Sequence, residues 1–214
     1  MNPPNEQNRI VNRLEKQKEL NNDSLITNMP WVKPDNQYRG FANADIINDI
    51  NKKKDIVINM INQAINEGLD EDKAKGLVAN LYHESKLDPK ALQGEGSYGV
   101  GLAQYSKGSK RHKGLIKAAR ELGESPNDTT FQIKYIVKEA LNPDQDVIKN
   151  AWLGPKNQQE FISIKNNPIK AAAVISRKFL RPGGTENIKT AKQYQRQNTA
   201  DYIDYIYNQS KLNK

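Results

Sequence analysis

The sequence predicts a mainly α fold, and three observations carry that expectation. Apolar residues recur at helical spacing through most of residues 46–214. Asn, Asp, Pro and Gly sit where helices should start and stop. No stretch alternates apolar and polar residues as a half-buried strand does, apart from a small hairpin expected around 94–104. There is no repeat of fixed period. Residues 1–45 read as an extension and 46–214 as one domain.

Within the extension, Glu6 to Leu20 can form a short helix with Ile10, Val11 and Leu14 on one side. That stripe is too short for a coiled coil. Residues 21–43 are rich in Asn and Pro, and Trp31 offers an apolar anchor within them. The domain begins near Ala44. Ile56, Val57, Met60, Ile61, Ala64 and Ile65 form the face of a first helix, which Gly68 can stop. Asp70 can cap the next helix, with Glu71 and Asp72 in its first turn, where the helix dipole favours acids.

Lys107 to Lys113 reads as a basic loop, followed by a short helix over 115–122 closed by Gly123. Asn127-Asp128 opens a helix carrying Phe131, Tyr135, Ile136 and Leu141. Asn142-Pro143 opens another, because proline suits the first helical position. A short helix is expected over 160–165. Asn167-Pro168 repeats the cap-plus-proline signal before residues 169–180. Arg181-Pro182-Gly183-Gly184 makes a turn, and a long last helix spans about 188–207.

The chemistry concentrates in residues 76–105. Leu77, Leu81 and Glu84 stand at i, i+4 and i+7, so they share one helical face. Leucines on that face pack inward and draw Glu84 toward the apolar side near the helix end. An unpaired carboxylate there costs several kcal/mol or takes up a proton. A carboxyl protonated near neutral pH can donate to a leaving oxygen. Asp88-Pro89 is expected to stop the helix. Gly94, Gly96, Gly99 and Gly101 then allow backbone to approach a ligand, with Ser97 and Tyr98 between them. Gln104 and Tyr105 supply an amide and a ring, groups that suit a sugar. Glu95 is the nearest second carboxylate in sequence, and its glycine neighbours let it reach a cleft. His83 points about 100° away from Glu84 on a helix.

Composition narrows the rest. The 214 residues include 36% hydrophobic ones, enough for one core, and the mean hydropathy of −0.86 does not imply global disorder. With no cysteine and only His83 and His112, disulfides and thiolate or His-cluster metal sites are not expected, nor is any cofactor. No run reaches membrane-spanning length. The start, Met1 to Pro4, carries no basic-then-apolar leader, so delivery by another agent is expected. Net charge is +8. Residues 1–50 hold six Lys/Arg and seven Asp/Glu, 6 − 7 = −1, so the remainder carries +9. Such a body suits an anionic partner, though a solvated lysine-rich surface looks the same.

Asn80, Glu84-Ser85 and Pro89, followed by Gly101-Leu102-Ala103-Gln104-Tyr105, resemble the phage tail lysozyme family of the lysozyme-like superfamily. That family usually has tryptophan at the position of Tyr105. The resemblance continues through Arg111, the 115–122 helix, Gln132 and Glu139. It then includes Phe179-Leu180-Arg181-Pro182, with Leu180 where a glutamate is usual, and Arg196 and Ala200 on the last helix. It covers roughly residues 54–207. It implies a lysozyme-like helical domain, at most a small hairpin beside the Glu84 helix, and action on peptidoglycan glycan strands.

The resemblance further implies cleavage of the β-1,4 bond between N-acetylmuramic acid and N-acetylglucosamine, with Glu84 as general acid; Glu95 is a candidate second carboxylate from its place in the sequence alone. Ser97, Tyr98, Gln104 and Tyr105 are the expected saccharide-binding residues. Arg111 and Glu139 read instead as an ion pair. A hydrolase and a lytic transglycosylase giving a 1,6-anhydro product both stay open. The setting implied is a virion, with the extension meeting tail or portal proteins and the enzyme opening the wall for genome delivery. An inactive structural virion protein and a basic nucleic-acid binder are the alternatives, the latter without any visible motif.

Overall fold

A glycine in mid-helix lets two helices approach closely, and Gly76 serves that purpose at the centre of this domain. A computed structural model describes residues 44–93 and 99–212. Among them are nine helices: α1 (Ala44–Lys52), α2 (Lys54–Asn66), α3 (Glu71–Ser85), α4 (Lys110–Leu122), α5 (Thr129–Leu141), α6 (Gln145–Trp152), α7 (Pro155–Ser163), α8 (Pro168–Val174) and α9 (Glu186–Leu212). A π-helical segment, Ile175–Leu180, continues α8. A two-stranded antiparallel hairpin joins β1 (Gly99–Val100) to β2 (Tyr105–Ser106), pairing Gly99 with Ser106 and Val100 with Tyr105. The fold is mainly α, as the sequence predicts.

Helix α3 is the central element and packs against α2, α8 and α9. Lys73 to Tyr82 is buried along its whole length. A Cβ added at Gly76 would lie 2.7 Å from the Ala172 nitrogen and 2.8 Å from the Ala171 Cβ, so only glycine permits this crossing. One turn on, the Asn80 side-chain amide donates to Gly76 O (2.8 Å) and across the interface to Ala172 O (2.9 Å). The ladder of α8 widens to π geometry just beyond that second acceptor. A side chain bonded to a helix carbonyl is a known cause of such irregularity.

Several ends follow the sequence. Asp70, Asp128 and Asn167 each accept a backbone N–H in the first turn of the helix they cap. Gly123 closes α4 at φ 68°. Others differ. The basic run is not all loop: α4 begins at Lys110, capped by Ser109, whose hydroxyl accepts from the His112 N–H. The Asn142-Pro143 helix starts later, at Gln145, because Asp144 accepts from the Asp146 and Val147 N–H groups. The helix expected over 160–165 begins earlier, with Pro155 in its first turn. Helix α3 ends before Asp88-Pro89, with Lys86 and Leu87 at φ 55° and 65°. The described hairpin strands, Gly99–Val100 and Tyr105–Ser106, overlap the range in which the sequence places a hairpin. The proposed helix over 6–20, Trp31, and residues 94–98 lie outside the described residues.

Aromatic packing ties the second half together. Trp152 stacks on Phe161 (5.0 Å) and meets Phe179 (4.7 Å), while its Nε1 donates to Ala140 O. This joins α5, α6, α7 and the π segment in one apolar cluster. Gln158 donates to Ala140 O and Asn142 O, satisfying carbonyls freed where α5 ends.

Candidate active site

The phase argument holds in space. Leu77 and Leu81 are buried and Glu84 follows on their face in the last turn of α3, with its side chain 15% exposed. The carboxylate is not unpaired, however. Arg196 of α9 donates from Nη2 to Glu84 Oε1 at 2.7 Å. Arg196 is itself 4% exposed, and its Nη1 donates to Lys192 O. Among the described residues, Glu84 Oε2 accepts no hydrogen bond. Among the described residues, then, one oxygen of Glu84 is fixed by Arg196 and the other accepts no hydrogen bond.

His83, the preceding residue, meets the same helix. Its Nε2 is 2.8 Å from Thr199 Oγ1. Burial, then the charges of Arg196 and Lys86, push the imidazole down to about 3, so it is neutral at ordinary pH. Adjacent residues of α3 therefore meet residues three apart on α9. This pair of contacts fixes where the end of α3 sits against the last helix.

The hairpin beside this end is held by Gln132 of α5. Its Oε1 accepts from Leu102 N (2.7 Å), and its Nε2 donates to Pro89 O (2.8 Å) and Pro126 O (2.7 Å). Gly101, at φ 73°, passes so close that a Cβ would lie 2.6 Å from Gln132 Oε1. Gln104 is half-buried at φ 49°. Its amide donates to Gly101 O and Ala91 O, so that its NH₂ holds the turn.

Tyr105 occupies the core rather than an open surface. It is 4% exposed, and its hydroxyl donates to Glu139 Oε2 at 2.8 Å. Burial and the Glu139 charge hold its phenol well above the usual range. Arg111 bonds both oxygens of Glu139, at 2.8 and 2.7 Å, and donates to Phe179 O. Its guanidinium lies over both the Tyr105 ring (4.7 Å) and the Phe179 ring (4.3 Å). The expected Arg111–Glu139 pair exists, but as a buried anchor of β2 to α4, α5 and the π segment. The saccharide role expected of Tyr105 therefore has no exposed ring to perform it. Glu95, Ser97 and Tyr98 lie outside the described residues.

Two surface grooves lie elsewhere. One of about 380 Å³ runs over the anchor, lined by Lys110, Lys134, Tyr135 and Lys138 among others. The other abuts Ser85, Lys86 and Lys53. Neither is lined by Glu84. Among the described residues no cluster of three or more His, Asp or Glu is placed to hold a metal, and no helix is long and apolar enough to cross a membrane.

The family model for phage tail lysozyme matches residues 56–207, from α2 to near the end of α9. The chain belongs to the phage tail lysozyme family. Membership implies peptidoglycan as substrate, lysozyme-type degradation of it, and association with the tail of a virion. No curated protein matches the chain. Helical phase placed Glu84 on the buried face of α3, but the sequence gives no sign of the arginine that meets it. Arg196 matched the family only as an isolated residue on the last helix. No local pattern connects it to a glutamate 112 positions earlier.

Proposed function

We propose that the chain is a muramidase that cleaves the β-1,4 bond between N-acetylmuramic acid and N-acetylglucosamine, with Glu84 as its general acid. The observation that carries this reading is the state of Glu84. It is a partly exposed carboxyl at the end of a buried helix, with Oε1 tied to Arg196 and, among the described residues, no hydrogen bond to Oε2. Glu84 gives its proton to the glycosidic oxygen as the C1–O bond breaks and positive charge develops on the muramic acid ring. Water then adds at C1, and its proton passes to a carboxylate. Glu95 is the residue we assign to that step. In a lytic transglycosylase the muramic acid 6-hydroxyl would replace the water, and Glu84 would take its proton.

The test is digestion of purified peptidoglycan by the intact chain, Glu84→Gln and Glu95→Gln, with products identified by mass spectrometry. Glu84→Gln should lose at least about 100-fold in rate. Reducing-end products mean hydrolysis, and 1,6-anhydro products mean transglycosylation. Equal rates for wild type and Glu84→Gln would remove Glu84 from the chemistry. We also propose that residues 1–45 tether the enzyme to tail or portal proteins. A chain starting at residue 46 should then digest soluble glycan normally yet fail to enter particles. Normal incorporation would end that idea.

A further inference from the structure

Arg196 is an expensive residue in its position. Burying a guanidinium is unfavourable, and a partner offsets this only when geometry is good and the remaining donors are bonded. Here they are not all bonded. Nη2 meets Glu84 and Nη1 meets Lys192 O, but Nε is buried with no partner among the described residues. An orphaned buried donor calls for an explanation other than stability. The neighbouring imidazole supplies no charge, since His83 is neutral down to about pH 3. Among the described residues, Arg196 is the hydrogen-bonding partner of Glu84.

We propose that Arg196 is a positioning residue for the glycosidic cleavage: its guanidinium grips Oε1 of Glu84 and so aims Oε2 at the bond to be broken. The proposal rests on the reading of Glu84 as general acid. The guanidinium can do this because it is itself buried and anchored. Its stem is buried between helices, Nη1 is anchored on its own helix, and the Thr199–His83 contact three residues on locks α9 against α3. A carboxyl held by one oxygen keeps the other in a fixed direction. Misplacement of a catalytic group by about 1 Å can cost about 100-fold in rate.

The experiment compares Arg196→Gln, Arg196→Lys and Glu84→Gln on two substrates, with folding checked by thermal melts. One substrate is wall glycan. The other is an aryl glycoside of the wall disaccharide whose acidic phenol leaves without needing a proton. A defect in proton delivery shows on the first substrate and largely disappears on the second. Arg196→Gln should lose about 10- to 100-fold in kcat on glycan, with KM little changed. On the aryl glycoside the loss should shrink to within about threefold. Arg196→Lys, which keeps charge but not the fork, should fall between.

Equal losses on both substrates would make Arg196 merely structural and overturn the proposal, as would full activity of folded Arg196→Gln on glycan. An active Glu84→Gln would instead overturn the reading of Glu84, and the proposal with it. If Glu84→Gln is inactive and Arg196→Gln normal, the proposal alone fails.

Discussion

At His83, burial and neighbouring charge act in the same direction. The ring is half-buried where α3 meets α9, and Arg196 and Lys86 oppose a second positive charge, so its folded value falls to about 3 from 6.5. In that window the unfolded chain binds a proton that the native chain does not, so stability rises with pH. The imidazole therefore contributes no penalty above about pH 6.5 and a growing one as pH falls toward 3. Each pH unit is worth about 1.4 kcal/mol. His83→Gln places an amide nitrogen near the Nε2 position and removes the titration. Between pH 7 and pH 4 the wild type should lose roughly 2–3 kcal/mol more than the variant, measured by urea unfolding at each pH. Parallel stability curves would show that His83 does not titrate in the unfolding equilibrium. The same residue shows what sequence hides. Projection on a helix gave its angle to Glu84, but its contact with Thr199 comes from 116 positions away. Tyr105 is a comparable case: an aromatic after a glycine-rich run suits a sugar or a core, and only Glu139 decides between them.

Helices were legible where the signal was local and obscure where a partner set it. Asp70, Asp128, Asn167 and Gly123 act on their own first or last turns, so sequence located those ends. Ser109 was hidden inside a basic run, and Asp144 competed with a proline pair that looked equally good. The π segment has no signature, because an i→i+5 ladder uses the same residues as an i→i+4 one. The crossing of α3 and α8 offers a test of which contacts are rigid. Gly76→Ala gains up to about 1 kcal/mol of helix propensity, but its Cβ meets backbone of Ala172 at 2.7 Å, which cannot step aside. Overpacking of this kind costs about 1–3 kcal/mol, so the net change should be destabilising. Gly114→Ala is the contrasting case. Its Cβ meets the Tyr135 hydroxyl, the far end of a side chain that can swing away. Chemical denaturation should rank Gly114→Ala above Gly76→Ala. The reverse order would mean that α8 yields more readily than the Tyr135 ring.

Across the whole molecule, charge and chemistry are separable. The chain carries +8, and its distribution leaves residues 51–214 at +9 against −1 for residues 1–50. None of that excess is required by the proposed cleavage, which needs Glu84 and its immediate neighbours. Its expected use is in reaching an anionic wall, since a cationic body raises encounter rates with polyanions in a salt-dependent manner. The screening length is about 10 Å at 0.1 M salt and about 3 Å at 1 M. The Glu84–Arg196 contact is short and largely buried, so salt should weaken it little. Raising salt from about 0.05 to 0.5 M should therefore slow digestion of intact walls several-fold, while cleavage of a short uncharged oligosaccharide stays nearly flat. Assays of both substrates across the same salt series check this. A parallel decline on both would locate the salt effect in the site or the fold. A flat response on both would mean that the positive surface serves solubility, and that the wall is reached without help from its charge.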